Sequence, residues 1–488
     1  EFPPGILGVL RIPGLGPKKL RLLYSELGIG SIEALEKACI EGRVAALKGF
    51  GDATQGRILD GLRRLREYRG LFRLGDIMGT AWGIRSAMRV WPEISQVETA
   101  GELRRNCEVV RGVEFVASSR HPDAVLNLFC ALPGASLVSR DTASATVMLK
   151  GGLPATLHVT TDLDFPFRLL WATGSQEHLT ALVRHAASRG VELCPEGIAP
   201  APENAPSTEA DLYAALGLPA IPPELREGLG EIDAALAGAL PRLIDWTDLR
   251  GTFHNHTDAS DGRDSLEQMA AAARDLGMEY LGIADHSHSS AQARGLDESR
   301  LLAQIAAIRA LNARFDDFRL LAGSEVDILK DGSLDFPDDV LSRLDYAVAS
   351  VHSLFHLDRE AMTRRILRAV ENPHVTMLGH MTGRLLLERP PYALDAEKII
   401  DACAATGTWI ELNANPRRLD MDWRLWRRAR DKGVIAAINP DAHAGAQLAY
   451  LRIGVAIARK GWLRKSDVAN TRPLPELMRL LSAKRSRP

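Results

Sequence analysis

Cysteine is scarce and scattered in this chain of 488 residues: five in all, at Cys39, Cys107, Cys130, Cys194 and Cys403, with no C-x-x-C pair. That pattern fits a reduced, cytoplasmic protein in which thiols are not needed to hold metal. Long apolar runs are also lacking. No stretch approaches the ~18 residues of a membrane span and no secretory h-region is present, so nothing is expected to span or cross a membrane. Neither sign of charge is in excess, since 60 Lys and Arg against 62 Asp and Glu leave a net of −2. Any nucleic-acid contact must therefore come from a local patch or from shape. The length suggests roughly three domains with ample chain for buried cores. Residue 1 is Glu rather than Met, which fits a trimmed start.

What is present first is a run of short helices punctuated by glycine, expected over residues 1–75. I-P-G-L-G-P-K-K-L (Ile12 to Leu20) places Gly14 and Gly16 in a turn followed by Lys18 and Lys19. L-K-G-F-G-D-A-T (Leu47 to Thr54), about 30 residues on, places Gly49 and Gly51 in a second. Such hairpins turn backbone N–H groups outward at a helix N-terminus, where an anion can dock. The segment carries thirteen basic and eight acidic residues, a local net of +5 in a nearly neutral chain. Two such turns favour a clamp on a phosphate backbone; the alternative is ordinary helix–turn–helix packing with solvated lysines.

Over residues 76–200 the pattern is mixed. V-E-F-V-A-S, A-T-V-M-L-K and A-T-L-H-V-T read as strands and P-D-A-V-L-N-L-F as a helix. The Pro/Ala-rich I-A-P-A-P-E-N-A-P-S-T (Ile198 to Thr208) opens an expected linker over 201–246. From 247 to 488, strand and helix alternate. The strands are G-T-F-H-N-H, Y-L-G-I-A-D-H, R-L-L-A-G-S-E, Y-A-V-A-S-V-H, V-T-M-L-G-H, T-W-I-E-L-N-A and V-I-A-A-I-N-P-D-A-H. Asp264 and Glu267 have capping-box spacing before one intervening helix, and Gly277 sits as its stop. Seven strand–helix units argue for a parallel α/β barrel.

Six of those seven strands end in a candidate metal donor, and barrel sites collect at the C-terminal ends of strands. The donors are His254, His256, Asp261, His286, Glu325, His352, His380, Asp441 and His443. His254 and His256 flank one residue and so point to one side of a strand; D-A-H at 441–443 repeats that spacing. Any one histidine alone is more often a satisfied core or surface residue. Nine nitrogen and oxygen donors exceed the shell of one ion, so two or three ions such as Zn²⁺, Mn²⁺ or Fe²⁺ are expected, equipment for hydrolysing a phosphoester. His288, His356 and His374 lack the strand-end placement and read as loop or helix residues.

H-N-H-T-D-A-S-D-G, A-D-H-S, G-S-E-V-D, S-V-H-S, G-H-M-T-G-R-L and D-A-H resemble the motifs of the PHP (polymerase and histidinol phosphatase) superfamily, with all nine ligand positions filled. The resemblance implies that His254, His256, Glu325 and Asp441 hold one metal. Asp261, His286 and His443 would hold a second, and Glu325 would bridge to a third held by His352 and His380. Zn²⁺ or Mn²⁺ in such a cluster makes hydroxide available near neutral pH and neutralises charge on phosphoryl oxygens. Glu325 and Asp441 are then catalytic as well as ligating. Arg384, four residues past His380, is a candidate grip on a substrate phosphate, or an ordinary surface arginine.

The rest of the chain is similar to bacterial family X DNA polymerases, through I-P-G-L-G-P-K-K, K-G-F-G, A-G-E-L-R-R, W-A-T-G-S-Q-E-H and A-A-L-G-L-P-A-I-P-P-E-L-R-E-G. The fold implied is α/β and multidomain: a helix-hairpin-helix segment, an α+β polymerase-beta-like core and a seven-stranded PHP (β/α) barrel. In that family a further small, lyase-type domain normally comes first; the sequence from Glu1 starts past that region, which fits a trimmed start. The polymerase chemistry does not carry over. Two-metal nucleotidyl transfer takes three aspartates in the family, and their positions read Gly112, Glu114 and Thr156 here. The triphosphate-binding motif reads Gly101-Glu102-Leu103-Arg104-Arg105, with Glu102 placing negative charge where phosphates would sit. Leu179 replaces a base-contacting Asn, and Trp171-Ala172 stands where an aromatic pair is usual. Arg104 and Arg105 are left as a DNA-end grip or as structural residues.

The expectation is a metal-dependent DNA phosphoesterase, a 3′-5′ exonuclease or 3′-end processing enzyme, acting on 3′ ends of gapped or damaged duplex with a dead polymerase core. A small-molecule phosphatase resembling histidinol phosphatase and a non-catalytic DNA-binding scaffold are the competing readings.

Overall fold

The computed structural model describes Val9, Ile12 and residues 15–202 and 204–485, so Gly14 lies outside the described residues. The chain forms two compact units, one of residues 1–71 with Leu387–Arg389 and the other of residues 72–386 and 390–488.

The first unit contains helices α1 (Pro17–Leu27), α2 (Ile32–Ile40) and α3 (Gly51–Glu67). Proline suits the first turn of α1 because its missing N–H would have no helical partner there. Gly28 ends that helix at φ 64°, and Ser31 caps α2 by accepting from Ala34 N at 3.2 Å. Leu20, Leu23, Leu35, Val44, Ile58 and Leu62 make the core. Gly49 and Gly51 sit at φ 93° and 71°, a region costly for any residue with a Cβ.

In the second unit, β1 (Gln96–Ala100), β2 (Val113–Ser118), β3 (Ser136–Arg140), β4 (Ser144–Leu149) and β5 (Leu153–Thr160) form a sheet in the order β1-β2-β5-β4-β3. Only β2 and β5 run parallel, in a register that sets Glu114 beside Thr156. The three strands expected from sequence are β2, β4 and β5. The outer two escaped notice because β1 is too short for its period to show and β3 is exposed along its length.

Residues 201–246 are not a linker. Leu212, Tyr213, Leu216, Ile221, Leu225 and Ile232 are buried in one cluster with Phe167, Leu170 and Leu182. The Pro/Ala-rich start suggests flexibility, but the apolar residues that follow find a core in the helices before it.

The last part is strand–helix alternation. Strands β6 (Gly251–Thr252), β7 (Tyr280–Ile283) and β8 (Arg319–Ala322) make one parallel sheet. Strands β9 (Glu325–Asp327), β10 (Val348–Ser350), β11 (Met377–Leu378), β12 (Trp409–Asn413) and β13 (Ala436–Asn439) make a second, also parallel. Each of the seven expected segments contains a strand; R-L-L-A-G-S-E is interrupted after Ala322, so Glu325 begins a strand of its own. Parallel bridges at Asn255–Ala442 and His286–Glu325 link the two sheets. Phe253, Tyr280, Tyr346, Val348, Met377 and Trp409 bury one aromatic-rich cluster. Gly282 makes room for it: a Cβ there would lie 2.4 Å from the Tyr346 hydroxyl. The helix Leu266–Asp275 is capped one residue later than its spacing suggested. Ser265 and Gln268 form the box, and Asp264 instead accepts from Gly445 N at 2.8 Å.

Candidate metal centre

Five of the histidines converge on one carboxylate, Glu325. Glu325 Oε2 lies 3.2 Å from His254 Nε2, 3.7 Å from His256 Nε2 and 2.9 Å from His286 Nδ1. Its Oε1 lies 3.1 Å from His352 Nε2 and 2.8 Å from His380 Nε2. Asp441 Oδ1 is 3.3 Å from His256 Nε2, and Asp261 is 3.6 Å from His286 Nε2 and 3.3 Å from His443 Nε2. His254, His256, Glu325 and His380 are buried, whereas the side chains of His443 and Asp261 keep 29% and 33% exposure, so access is from their side.

Three overlapping groups bring their donor atoms within 4.8 Å of one another: His256, Asp261, His286 and His443; His254, His256 and Asp441; His286, Glu325 and His352. The grouping differs in detail from the one the resemblance implied. His256 joins the Asp261 set, and His286 takes the place of His380 beside Glu325 and His352. His288 and His356 are exposed, and His374 is not in any group.

Whether these residues suit a cation can be tested on their own geometry. His254 Nε2, both nitrogens of His256, His286 Nδ1 and His380 Nδ1 are buried and make no hydrogen bond. Burying polar nitrogens without partners is costly. Around a tetrahedral ion with bonds of ~2.0–2.1 Å, neighbouring ligand atoms stand roughly 3.3–3.5 Å apart. The separations of 3.2, 3.3, 3.7 and 3.8 Å among His254, His256, Glu325 and Asp441 lie close to or somewhat above that edge length. The donor set fits Zn²⁺ or Mn²⁺.

Electrostatics follow from burial opposed by close pairing. Burial works against charge on Glu325, yet His254, His352 and His286 hold its carboxyl well below the usual range. Against the same burial, Glu325 and Asp327 lift the His352 imidazole to about 10, and Asp261 and Asp441 lift His443 to about 9. Burial would also raise Asp261, but His443 and its neighbours bring it to about 2. His256, crowded by His286 and His443 in a dry site, falls to about 4.

Two carboxylates behind the donors were missed in sequence. Glu411 accepts from His254 Nδ1 at 2.6 Å, from His380 N at 2.7 Å and from Asn439 Nδ2 at 2.9 Å. Asp327 pairs with His352 Nδ1. Such partners fix which ring nitrogen faces a metal. Signals for both existed. Glu411 lies in the one strand segment with no expected donor, and Asp327 is two residues past Glu325, on the same side of its strand.

Arg384 does not face the cluster. It is buried, donating from Nε to Arg418 O at 3.0 Å and from Nη1 to Asp422 at 2.9 Å, with Nη2 on Leu419 O. Arg418 lies beside the centre instead, its Nε 3.3 Å from Asp441 Oδ2.

Arg104 and Arg105 are likewise turned inward. Arg104 pairs with Glu209 at 2.5 Å and Thr173 at 2.8 Å; Arg105 pairs with Glu227 at 2.9 Å and the Thr173 carbonyl at 2.8 Å. Of the two readings for them, the structural one matches these contacts. Glu102 is bound by Arg111 through N and Nη1, both at 2.8 Å. Glu114 is a lone carboxylate whose pKa is raised, first by burial and then by Glu102. Thr156 shares a 3.0 Å contact with the Thr146 hydroxyl, and Gly112 packs where a Cβ would meet Pro154 O at 2.8 Å.

In the helical unit Gly16, Lys18, Gly49 and Gly51 are exposed. Lys19 Nζ lies 5.7 Å from the centre of the Phe50 ring, and Phe50 stands between Gly49 and Gly51. The helix that follows Gly16 thereby meets the second glycine turn through Lys19.

Comparison with known proteins agrees with this layout. Residues 6–64 match the SAM-like helix-hairpin-helix tandem, 168–227 the DNA polymerase beta thumb and 252–415 the PHP domain. The chain is 35% identical over 483 residues to the DNA polymerase/3′-5′ exonuclease PolX of Bacillus subtilis, covering 98% of this chain and 84% of that protein. It is 25% identical over 229 residues to a probable phosphatase of Thermoanaerobacter sp. (strain X514), covering 45% of this chain and 89% of that one. A probable phosphatase of Acetivibrio thermocellus is 30% identical over 164 residues, 33% of this chain and 63% of that one. With helix-hairpin-helix, thumb and PHP matches in this order and a relative similar along nearly its whole length, the chain belongs to the bacterial family X DNA polymerases that carry a C-terminal PHP domain.

Proposed function

We propose that this protein is a metal-dependent phosphoesterase that trims DNA 3′ ends through its PHP half, while the polymerase-like core is catalytically silent. The observation that carries this reading is the gathering of five histidines on Glu325, with Asp261, Asp441 and His443 joined to them, set against a single carboxylate, Glu114, at the positions of three polymerase aspartates. Zn²⁺ or Mn²⁺ held by the three donor groups would supply an activated water and neutralise phosphoryl charge. The residues hold and orient: Glu411 and Asp327 set the tautomers of His254 and His352, and Glu325 sits between all three groups. In the reaction a water oxygen bonds to phosphorus and the bond to the 3′ oxygen breaks. That oxygen takes up a proton and a 5′-mononucleotide leaves. The paired glycine turns with Lys18 and Lys19 would hold the sugar-phosphate backbone of gapped or damaged duplex without reading sequence, in the cytoplasm.

A 5′-labelled primer on a template, incubated with Mn²⁺ and all four deoxynucleotides, tests both halves. Progressive shortening is expected, abolished in Glu325→Ala and His256→Ala with DNA binding retained. Extension, or shortening unchanged in those variants, overturns the reading. The similarity to probable phosphatases favours a second reading, hydrolysis of small phosphomonoesters. Turnover of a small phosphomonoester but no shortening of the primer would establish it. Purified protein without bound metal and without activation by Mn²⁺ would leave only a DNA-binding scaffold.

A further inference from the structure

Arg418 stands beside the donor cluster on a rigid mount. Its side chain is 19% exposed, and its Nε lies 3.3 Å from Asp441 Oδ2. Among the described residues it has no other ion pair and no side-chain hydrogen bond. A guanidinium carries five N–H donors in a fixed fork suited to phosphate. Here the terminal nitrogens are unengaged on a side chain that solvent still reaches.

The segment that carries Arg418 is strapped down from several directions. Arg384 binds the carbonyls of Arg418 and Leu419 and the Asp422 carboxylate. Arg418 N donates to Asn415 O at 2.8 Å, and Asn413 N donates to Asp420 O at 2.5 Å. The Asp420 carboxylate accepts from Thr382 N at 3.0 Å and from its hydroxyl at 2.9 Å. Asn413 also donates to Asp441 at 3.1 Å. An arginine whose only task was to neutralise Asp441 would not need so many anchors on its backbone.

We infer that Arg418 is the catalytic residue that grips the phosphoryl oxygens of the substrate, with Arg384 as the positioning residue that holds its backbone. This rests on the phosphoesterase reading above and names the group of the chain that touches the reacting phosphate. The grip neutralises charge on non-bridging oxygens as water attacks, a preorganised contact of the kind that strengthens in the transition state.

The test uses the full chain with Mn²⁺ and the variants Arg418→Ala and Arg418→Lys. Three readouts are taken: primer shortening, calorimetric binding of thymidine 5′-monophosphate, and bound metal per chain. For Arg418→Ala we expect a loss in kcat/KM of about 10²- to 10³-fold and at least tenfold weaker nucleotide binding, with metal content unchanged. Millimolar guanidinium ion restores part of the activity. Arg418→Lys, which keeps charge without the fork, falls between. Wild-type nucleotide affinity and kcat/KM in Arg418→Ala would overturn the inference. So would loss of bound metal in both variants, which would assign the side chain to holding Asp441. If the wild type shortens no DNA yet binds the nucleotide through Arg418, the nuclease reading fails and the phosphate grip stands.

Discussion

Glu411 Oε1 lies 2.6 Å from His254 Nδ1, with both side chains shut off from solvent. A proton on Nδ1 directed at Glu411 leaves the Nε2 lone pair pointing toward Glu325 and Asp441. Replacing the carboxylate by an amide weakens that bond and offers N–H where His380 N and Asn439 Nδ2 already donate. Glu411→Gln is expected to lower metal affinity by about 10- to 100-fold, read by competition with a fluorescent chelator. Metal affinity equal to wild type would mean that Glu411 only fills the core.

Placing aspartate at all three polymerase positions is not expected to give primer extension. In Gly112→Asp the new Cβ meets Pro154 O at 2.8 Å, and the triphosphate-side residues are committed to Arg111, Glu209 and Glu227. The triple variant Gly112→Asp, Glu114→Asp, Thr156→Asp is expected to be less stable by about 1–3 kcal/mol, and to extend no primer with Mg²⁺. Extension would show that loss of the carboxylates alone silenced this core.

The sheet makes its own pH-dependent contribution to stability, at His158. Burial and the Arg168 guanidinium, whose Nη2 lies 2.7 Å from Nδ1, push the His158 imidazole down to about 4. Between pH 6.5 and 4 the unfolded chain binds a proton at this position that the folded chain does not. The contribution is therefore whole above pH 6.5 and is lost as pH falls toward 4, by at most about 1.4 kcal/mol per pH unit. Thermal melts of wild type and His158→Gln should diverge in slope over that window. Parallel slopes would refute the shift.

Lys18 is exposed two residues past Gly16, and Lys19 Nζ lies 5.7 Å from the ring of Phe50 in the second turn. Each substitution to Ala is expected to weaken duplex binding for all sequences alike and to lower the slope of log K against log salt by about 1. Fluorescence anisotropy across a salt series measures this. An unchanged slope would remove the helical unit from the DNA path.

The donor set was legible because it obeys a local rule. A barrel strand delivers its last residues to one end, so apolar runs ending in His, Asp or Glu mark a site even when nearly 190 residues separate His254 from His443. The glycine turns and the lost aspartates are local signals of the same kind.

What the side chains of arginines and second-rank carboxylates do is not local. Arg104 finds Glu209, Arg384 finds Asp422 and Glu411 finds His254, pairings across 105, 38 and 157 residues that no pattern along the chain announces. A long, flexible cation is equally able to meet a phosphate or an internal carboxylate, and burial decides between them, because a charge removed from water must be paired. The sequence alone determined the nine candidate donors; only the tertiary structure decided that Glu411 and Asp327 stand behind them, that Arg384 turns into the core and that Arg418 lies beside Asp441.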